Sequence, residues 1–269
     1  MTQQWPKHLF MIGCGNMGGA MLSRWIACGL DPANVTVFRP SGKPAAPGVQ
    51  VVSTPPLKLP AGTVVMLAMK PQQIGQVAAT FGSHVTPEVA LISILAGIKV
   101  DGLRHHFPSV SDVVRIMPNT PVAVGEGVCA LYADESTSPE CRAACTDLMR
   151  PLGLVEWIAD EDAFNLVTAL SGCGPAYLFR FIDALAGAAE ELGLERSQAE
   201  RLALATVGGA ATLAGQSENS PGVLAEQVAS PGGMTRKGMD VLDDGDALKS
   251  LLRETLRAAR NRGIELAGD

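Results

Sequence analysis

The sequence predicts an α/β protein, with a doubly wound parallel sheet followed by an all-helical segment. Three observations predict it. Short apolar runs alternate with helical stretches from Leu9 to Ile158. A glycine-rich turn, Gly13-Cys14-Gly15-Asn16-Met17-Gly18, joins the first run to the first helix. Beyond Asp160 the runs stop and only helical spacing of apolar residues remains. Continuous apolar runs separated by helices are the pattern of a parallel sheet covered on both faces.

The runs follow in order. LFMI at 9–12 leads into the glycine-rich turn and a helix ending near Gly29. VTVF at 35–38 comes next, then a Pro/Gly-rich link and TVVMLAM at 63–69. ALISIL at 90–95, DVVRIM at 112–117, GVCALYA at 127–133 and VEWI at 155–158 complete the series. DVVRIM reads as a buried strand that carries a charge, and the pair His105-His106 closes a helix before Pro108. This half, residues 1–159, is expected to bind a dinucleotide, and residues 160–269 to be helical. In the second half AFNLVTAL, AYLFRFIDALAGAAEELG, SQAERLALATVGGAATLAG and ALKSLLRETLRAARNRGIEL carry helical spacing. Gly193 fits a helix stop, and Ser197 with Glu200 a capping box at the next start. The stretch VGGAATLAG at 207–215 lets helices approach closely. Pairing with a second copy is one use of such a face, and packing within the domain is the other.

Bulk properties narrow the function classes. The 269 residues are 47% apolar and 18% charged, enough for a substantial core. A net charge of −6 and a pI near 5.3 argue against nucleic-acid binding. No apolar run reaches membrane-spanning length, and MTQQWPKHLF lacks the plan of a signal peptide, so a cytoplasmic protein is expected. The six cysteines form no CxxC pair and read as buried, reduced thiols, and neither they nor the four histidines are spaced for a metal.

The glycine-rich turn follows a strand and opens a helix, which is the context a GxGxxG needs to bind a dinucleotide. Gly13 allows the tight turn, Gly15 clears space for a pyrophosphate and Gly18 lets helix and strand pack closely. Free amides at the helix start, over Asn16 and Met17, bind the anion. After the second strand an NAD enzyme usually has an acid for the ribose hydroxyls. Here Phe38-Arg39-Pro40-Ser41 stands in that place, with Lys43 close behind, which favours the 2′-phosphate of NADPH. An ordinary solvated surface is the competing explanation. Ligands in open α/β sheets bind beyond the carboxyl ends of strands, so Asn119 in MPNTP (117–121) and Lys70-Pro71 are expected to hold polar groups beside the nicotinamide.

Together IGCGNMG (12–18), AMKPQQI (68–74), ISILAGI (92–98), RIMPNTPVAVGEG (115–127), ALSGCGPAYLF (169–179) and VASPGGMTRKGM (228–239) resemble pyrroline-5-carboxylate reductase, over nearly the whole chain. Cys14 and Cys173 stand where that family often has Ala and Ser, and Met234 where Thr or Ala is usual. The resemblance implies a Rossmann domain followed by a helical domain that interlocks with a partner's, giving homodimers and in some members pentamers of dimers. It implies reduction of 1-pyrroline-5-carboxylate to L-proline by NADPH or NADH, the last step of proline biosynthesis. Ala68 and Lys70 then belong with the cofactor contacts.

For the substrate, Ser230-Pro231-Gly232-Gly233-Met234-Thr235 precedes a helix and forms an anion nest for the carboxylate; a plain helix-to-helix turn is the alternative. The resemblance places Thr235 near the imine nitrogen, and it places Ser171-Gly172-Cys173-Gly174-Pro175 near nicotinamide and substrate, where spacing alone allows a simple kink. Glu218, in QSENSPG, matches an acidic position of the family, although a solvated loop explains it as well. A hydroxyacid dehydrogenase would want a lysine on the first long helix after the sheet, and residues 160–193 contain none.

Overall fold

The computed structural model describes residues 3–268. The chain divides into two compact units, Met1–Gly172 with Arg260–Asp269, and Cys173–Ala259. The first unit contains β1 (Leu9–Ile12), α1 (Asn16–Ala27), β2 (Val35–Phe38), β3 (Gln50–Val52) and β4 (Val64–Leu67). It continues through α2 (Ile74–Phe81), β5 (Ala90–Ser93), α3 (Val100–His106), β6 (Asp112–Pro118) and β7 (Gly127–Tyr132). α4 (Pro139–Met149), β8 (Gly153–Trp157) and α5 (Phe164–Val167) follow, and a π-helical turn, Thr168–Gly172, ends it.

One eight-stranded sheet has the order β3-β2-β1-β4-β5-β6-β7-β8. Alternate residues of β1 enter two separate cores: Leu9 and Met11 pack with Trp25 and Met66, while Phe10 and Ile12 pack with Phe81 and Phe107. That is the double-sided burial the continuous apolar runs predicted. His105 and His106 occupy the last turn of α3, as expected.

Two features of the sheet depart from expectation. β3 is an added edge strand, only three residues long, inside the Pro/Gly-rich link. The sheet is also not wholly parallel, because β7 pairs antiparallel with β6. The connection between them holds only the 3-10 turn Thr120–Val124, too short for the crossover that a parallel partner requires. β8 is reached through α4 and is parallel to β7. Arg115 lies where the two ladders meet: it pairs with Ser93 of β5 on one side and Tyr132 of β7 on the other.

The second unit holds α6 (Gly174–Glu191), α7 (Arg196–Gln216), α8 (Pro221–Val228), α9 (Met234–Asp243) and the start of α10 (Ala247–Gly268). Strands end at Trp157, close to the change expected at residue 160, whereas the compact units separate after Gly172. α6 and α7 close on a small core of Ala186, Ala199 and Ala203. Arg196 pins the pair through Asp183 (2.8 Å), Glu200 (2.7 Å) and Glu190 (3.4 Å). Gly193 has φ +108° between them, as a helix stop requires. The cap of α7 differs from expectation: Glu195, not Ser197, accepts from the amides of Ser197 and Gln198, both at 2.9 Å. Glu200 is thereby free to pair with Arg196. Pro175 sits in the first turn of α6, where no helical donor is lost, so it starts the helix instead of breaking one. Among the described residues no helix is long and apolar enough to cross a membrane.

Candidate active site

At the carboxyl edge of β1, β2 and β4 lies a cleft of about 620 Å³. The strand order turns outward on either side of β1 and β4, which is where open α/β sheets leave a crevice. Its floor is the Gly13–Gly18 turn; Arg39, Ser41 and Lys43 form one wall, and Ala68, Met69, Lys70 and Gln73 the other.

The three glycines serve different ends. A Cβ on Gly13 (φ +85°) would lie 2.8 Å from the Ala68 carbonyl oxygen, so the fold itself demands glycine there. At Gly18 a Cβ would press on Ala68 Cβ at 3.2 Å, a demand of helix–strand packing. At Gly15 a Cβ would meet nothing within 4 Å. The fold does not need that glycine, and its open front is space for a ligand. No side chain caps α1 and its first turn has no acid, so its leading amides are left available to an anion.

The cleft is electropositive. Arg39, Lys43 and Lys70 line it, no carboxylate does, and among the described residues none of the three is in an ion pair. Arg39 is held by backbone carbonyls alone: Cys14, Lys43 (3.2 Å) and Pro44 (3.1 Å). Its guanidinium is therefore fixed in place with its charge uncompensated. Burial raises the Cys14 thiol pKa, with Arg39 acting the other way. These observations fit a dinucleotide with an extra phosphate. Gly13, Gly15, Asn16, Met17, Gly18, Arg39, Ser41, Ala68 and Lys70 come together in this cleft. Pro71 does not line the cleft; it begins the 3-10 turn Pro71–Gln73, which directs Gln73 back to bond the Lys70 amide at 3.1 Å.

Asn119 has a different task from the one expected. It is buried, its Oδ1 accepts from the Val128 amide (2.8 Å) and its Nδ2 donates to the Ser171 carbonyl (3.0 Å). Both ends of the amide are engaged within the protein, which explains a polar side chain after an apolar strand without a ligand. Sequence reasoning missed Arg115, which is 3% exposed, donates to Glu161 at 3.0 Å and lies 4.3 Å from the Phe164 ring centre. Burial lowers its pKa and the Glu161 carboxylate opposes the shift. Ser171 and Gly172 belong to the π-helical turn, the Ser171 hydroxyl donating to the Val167 carbonyl at 2.9 Å.

In the helical unit Cys173 stands just before α6, followed by Gly174 and Pro175. Ser230 to Gly233 form a tight turn, with the Gly233 amide bonded to the Ser230 carbonyl at 3.0 Å and Gly232 at φ +71°. α9 then begins at Met234 with Thr235 exposed in its first turn. As at α1, no side chain caps this helix and no acid lies in its first turn. Glu218 is exposed in the short connection between α7 and α8. Among the described residues no group of three or more His, Cys, Asp or Glu could hold a metal ion, and the six cysteines are free.

Two family models match the chain. Residues 8–97 match NADP oxidoreductase coenzyme F420-dependent, and residues 161–266 match pyrroline-5-carboxylate reductase dimerisation. The pyrroline-5-carboxylate reductase of Pseudomonas aeruginosa is 34% identical over 97% of both chains. That of Arabidopsis thaliana is 37% identical over 82% of this chain and 79% of its own. Among solved structures, the pyrroline-5-carboxylate reductase of Coxiella burnetii superposes with a TM-score of 0.86 at 33% identity, covering 97% of this chain and 99% of the other. The Plasmodium falciparum pyrroline carboxylate reductase with NADP bound gives 0.82 at 26% identity, over 97% and 98%.

Proposed function

The chain belongs to the pyrroline-5-carboxylate reductase family, and we propose which of its residues hold each reactant. The reaction is reduction of 1-pyrroline-5-carboxylate to L-proline with NADPH, the last step of proline biosynthesis. The observation that carries the cofactor assignment is the open front of Gly15 beside three cations that are in no ion pair among the described residues. NADPH, when bound, supplies the hydride that reduces the C=N carbon. Gly13, Gly15 and Gly18 shape the turn, and the amides of Asn16 and Met17 receive the pyrophosphate. Arg39, Ser41 and Lys43 receive the 2′-phosphate; with NADH, the alternative reductant, these groups lack their partner. Ala68 and Lys70 complete the wall, with Pro71 and Asn119 acting indirectly through the turns they hold.

The cofactor half is assigned to residues 1–159, and substrate binding and pairing to 160–269. Ser230, Gly232, Gly233 and Met234, at the uncapped start of α9, bind the substrate carboxylate. The imine nitrogen takes its proton from water before binding, so the bound species is an iminium whose N–H donates to the Thr235 hydroxyl. Hydride addition then neutralises that charge and leaves a secondary amine, with no strong general acid required. Positioning supplies much of the acceleration. Ser171, Gly172, Cys173, Gly174 and Pro175 are assigned to substrate binding as well. Glu218 is the candidate for a second hydrogen-bonding group.

The match to the dimerisation family supports an oligomer. The helical unit exposes Phe179 and Leu204 at 65% and 61%, and a Cβ added at Gly208, Gly209 or Gly215 would meet nothing within 4 Å. Such surface is a burden on a lone chain; a homodimer covers it, and five dimers make the decamer that light scattering would distinguish. The free thiols suit a reducing, cytoplasmic setting. The experiment is NADPH oxidation by the purified protein with 1-pyrroline-5-carboxylate, beside NADH, with proline measured as product. Cofactor binding without turnover would point to a nucleotide sensor and remove the α9 assignment.

A further inference from the structure

β6 presents Arg115 and Met117 on one face, and Asn119, still extended just past its end, continues the alternation. The segment 161–172 lies along that face and is fastened at both ends. At its start Glu161 Oε1 accepts from Arg115 (3.0 Å) and also from the Val100 amide that opens α3 (2.9 Å). The guanidinium lies over the Phe164 ring. At its finish the Ser171 carbonyl accepts from Asn119. Between them Met117 and Phe164 share one small core with Val167, and a Cβ on Gly172 would sit 4.0 Å from Met117.

A buried arginine is a costly way to fill space. Its Nε is without a partner among the described residues, and apolar side chains of similar volume pack at least as well. What an arginine adds is a planar fork with one geometry, fixed here against a carboxylate and a ring. Its place is also singular, because it is the residue where parallel and antiparallel ladders meet. The segment it fastens ends in a π-helical turn, a distortion that recurs at functional sites.

We propose that Arg115 is a positioning residue for the imine site: through Glu161 and Phe164 it sets where the 168–172 turn stands, and so where Ser171 and Gly172 meet the substrate. This rests on the substrate role given above to those two residues. Arg115 itself touches no reactant. Asn119 is the matching tie at the other end.

Arg115→Lys keeps the charge but loses the fork and the stacked plane, and Glu161→Gln keeps an acceptor for Val100 while ending the ion pair. Both are assayed with NADPH and 1-pyrroline-5-carboxylate, and hydrogen exchange is followed at the amides of 168–172 and of 13–18. A displaced binding group costs about tenfold or more. The expected result is a KM for the imine raised about tenfold in Arg115→Lys, with the NADPH Kd held within about twofold. Exchange quickens at 168–172 and not at 13–18, and Glu161→Gln moves the same quantities in the same direction. If Arg115→Lys fails to fold, Glu161→Gln carries the test. A lower Tm with unchanged imine KM and unchanged exchange at 168–172 makes Arg115 a packing group and overturns the proposal. A wild type that binds NADPH but never reduces the imine overturns it together with the reading it rests on, a failure visible before any variant is made.

Discussion

Gly13 and Ala68 stand so close that a methyl group on the glycine would lie 2.8 Å from the Ala68 carbonyl oxygen. Two residues along, Gly15 faces open space. Glycines of one motif thus answer to different masters, the first to the fold and the second to the ligand. Gly13→Ala is expected to lower Tm, since a left-handed backbone costs an alanine about 1–2 kcal/mol before any clash. Gly15→Ala is expected to leave Tm unchanged and weaken NADPH binding at least tenfold. Thermal melts and fluorescence titration of both variants check this, and equal effects on Tm would contradict it.

Arg39→Asp places a carboxylate where carbonyls now hold a guanidinium. It repels a 2′-phosphate and accepts from ribose hydroxyls, so the ratio of kcat/KM for NADPH over NADH should fall by at least tenfold. An unaltered ratio would move phosphate reading to Lys43 or Ser41.

Thr235→Ala removes a hydroxyl from the exposed first turn of α9 without touching its packing. Turnover or imine affinity should drop about tenfold or more, as for loss of one hydrogen bond to a charged group. NADPH affinity should stay as it was. Steady-state kinetics identical to the wild type would take Thr235 out of the site.

Asp134 provides a pH test of the fold. Burial by itself would raise its carboxyl, but Arg104 (2.8 and 2.9 Å) and Ser136 outweigh that and bring it from 3.8 to about 2. The folded value lies below the unfolded one, so this link contributes in full above about pH 4 and is lost as pH falls towards about 2. Asp134→Asn should therefore melt below the wild type near neutral pH, with the gap closing across that acid window. A gap that persists at the acid end would assign the effect to something other than the charge.

The sheet and its two covered faces were legible because β1 alternates between two cores, leaving no polar position in the run. The glycine turn was legible because its requirements are local. β3 was hidden, since three residues among prolines and glycines carry no period. The reversal at β7 was written in the shortness of the 119–126 connection, a length signal that composition does not reveal. The duties of Asn119 and Arg115 were illegible for a simpler reason: their partners, Ser171 and Glu161, lie 52 and 46 residues away. Arg115 left one trace, a charge inside an otherwise apolar strand. Glu195 took the cap of α7 because the helix starts at Arg196, ahead of Ser197, and its carboxylate accepts from the two amides that follow, which the Ser/Glu spacing pattern does not anticipate.

The even spacing of Arg115, in β6, and Asn119, just past its end, has a consequence for how this chain tolerates changes of length. One residue inserted between them would turn one of the two to the opposite face of the sheet and carry it about 3.3 Å along the strand. A single insertion or deletion there breaks one of the two ties whatever residue it brings, unless a bulge takes up the change. The loop around Leu57, a fully exposed residue flanked by prolines and lysine, is under no such constraint. For grafting an affinity tag, a reporter or a new chain break, that loop is the permissive site, and the five residues from Arg115 to Asn119 are a ruler that must keep its length.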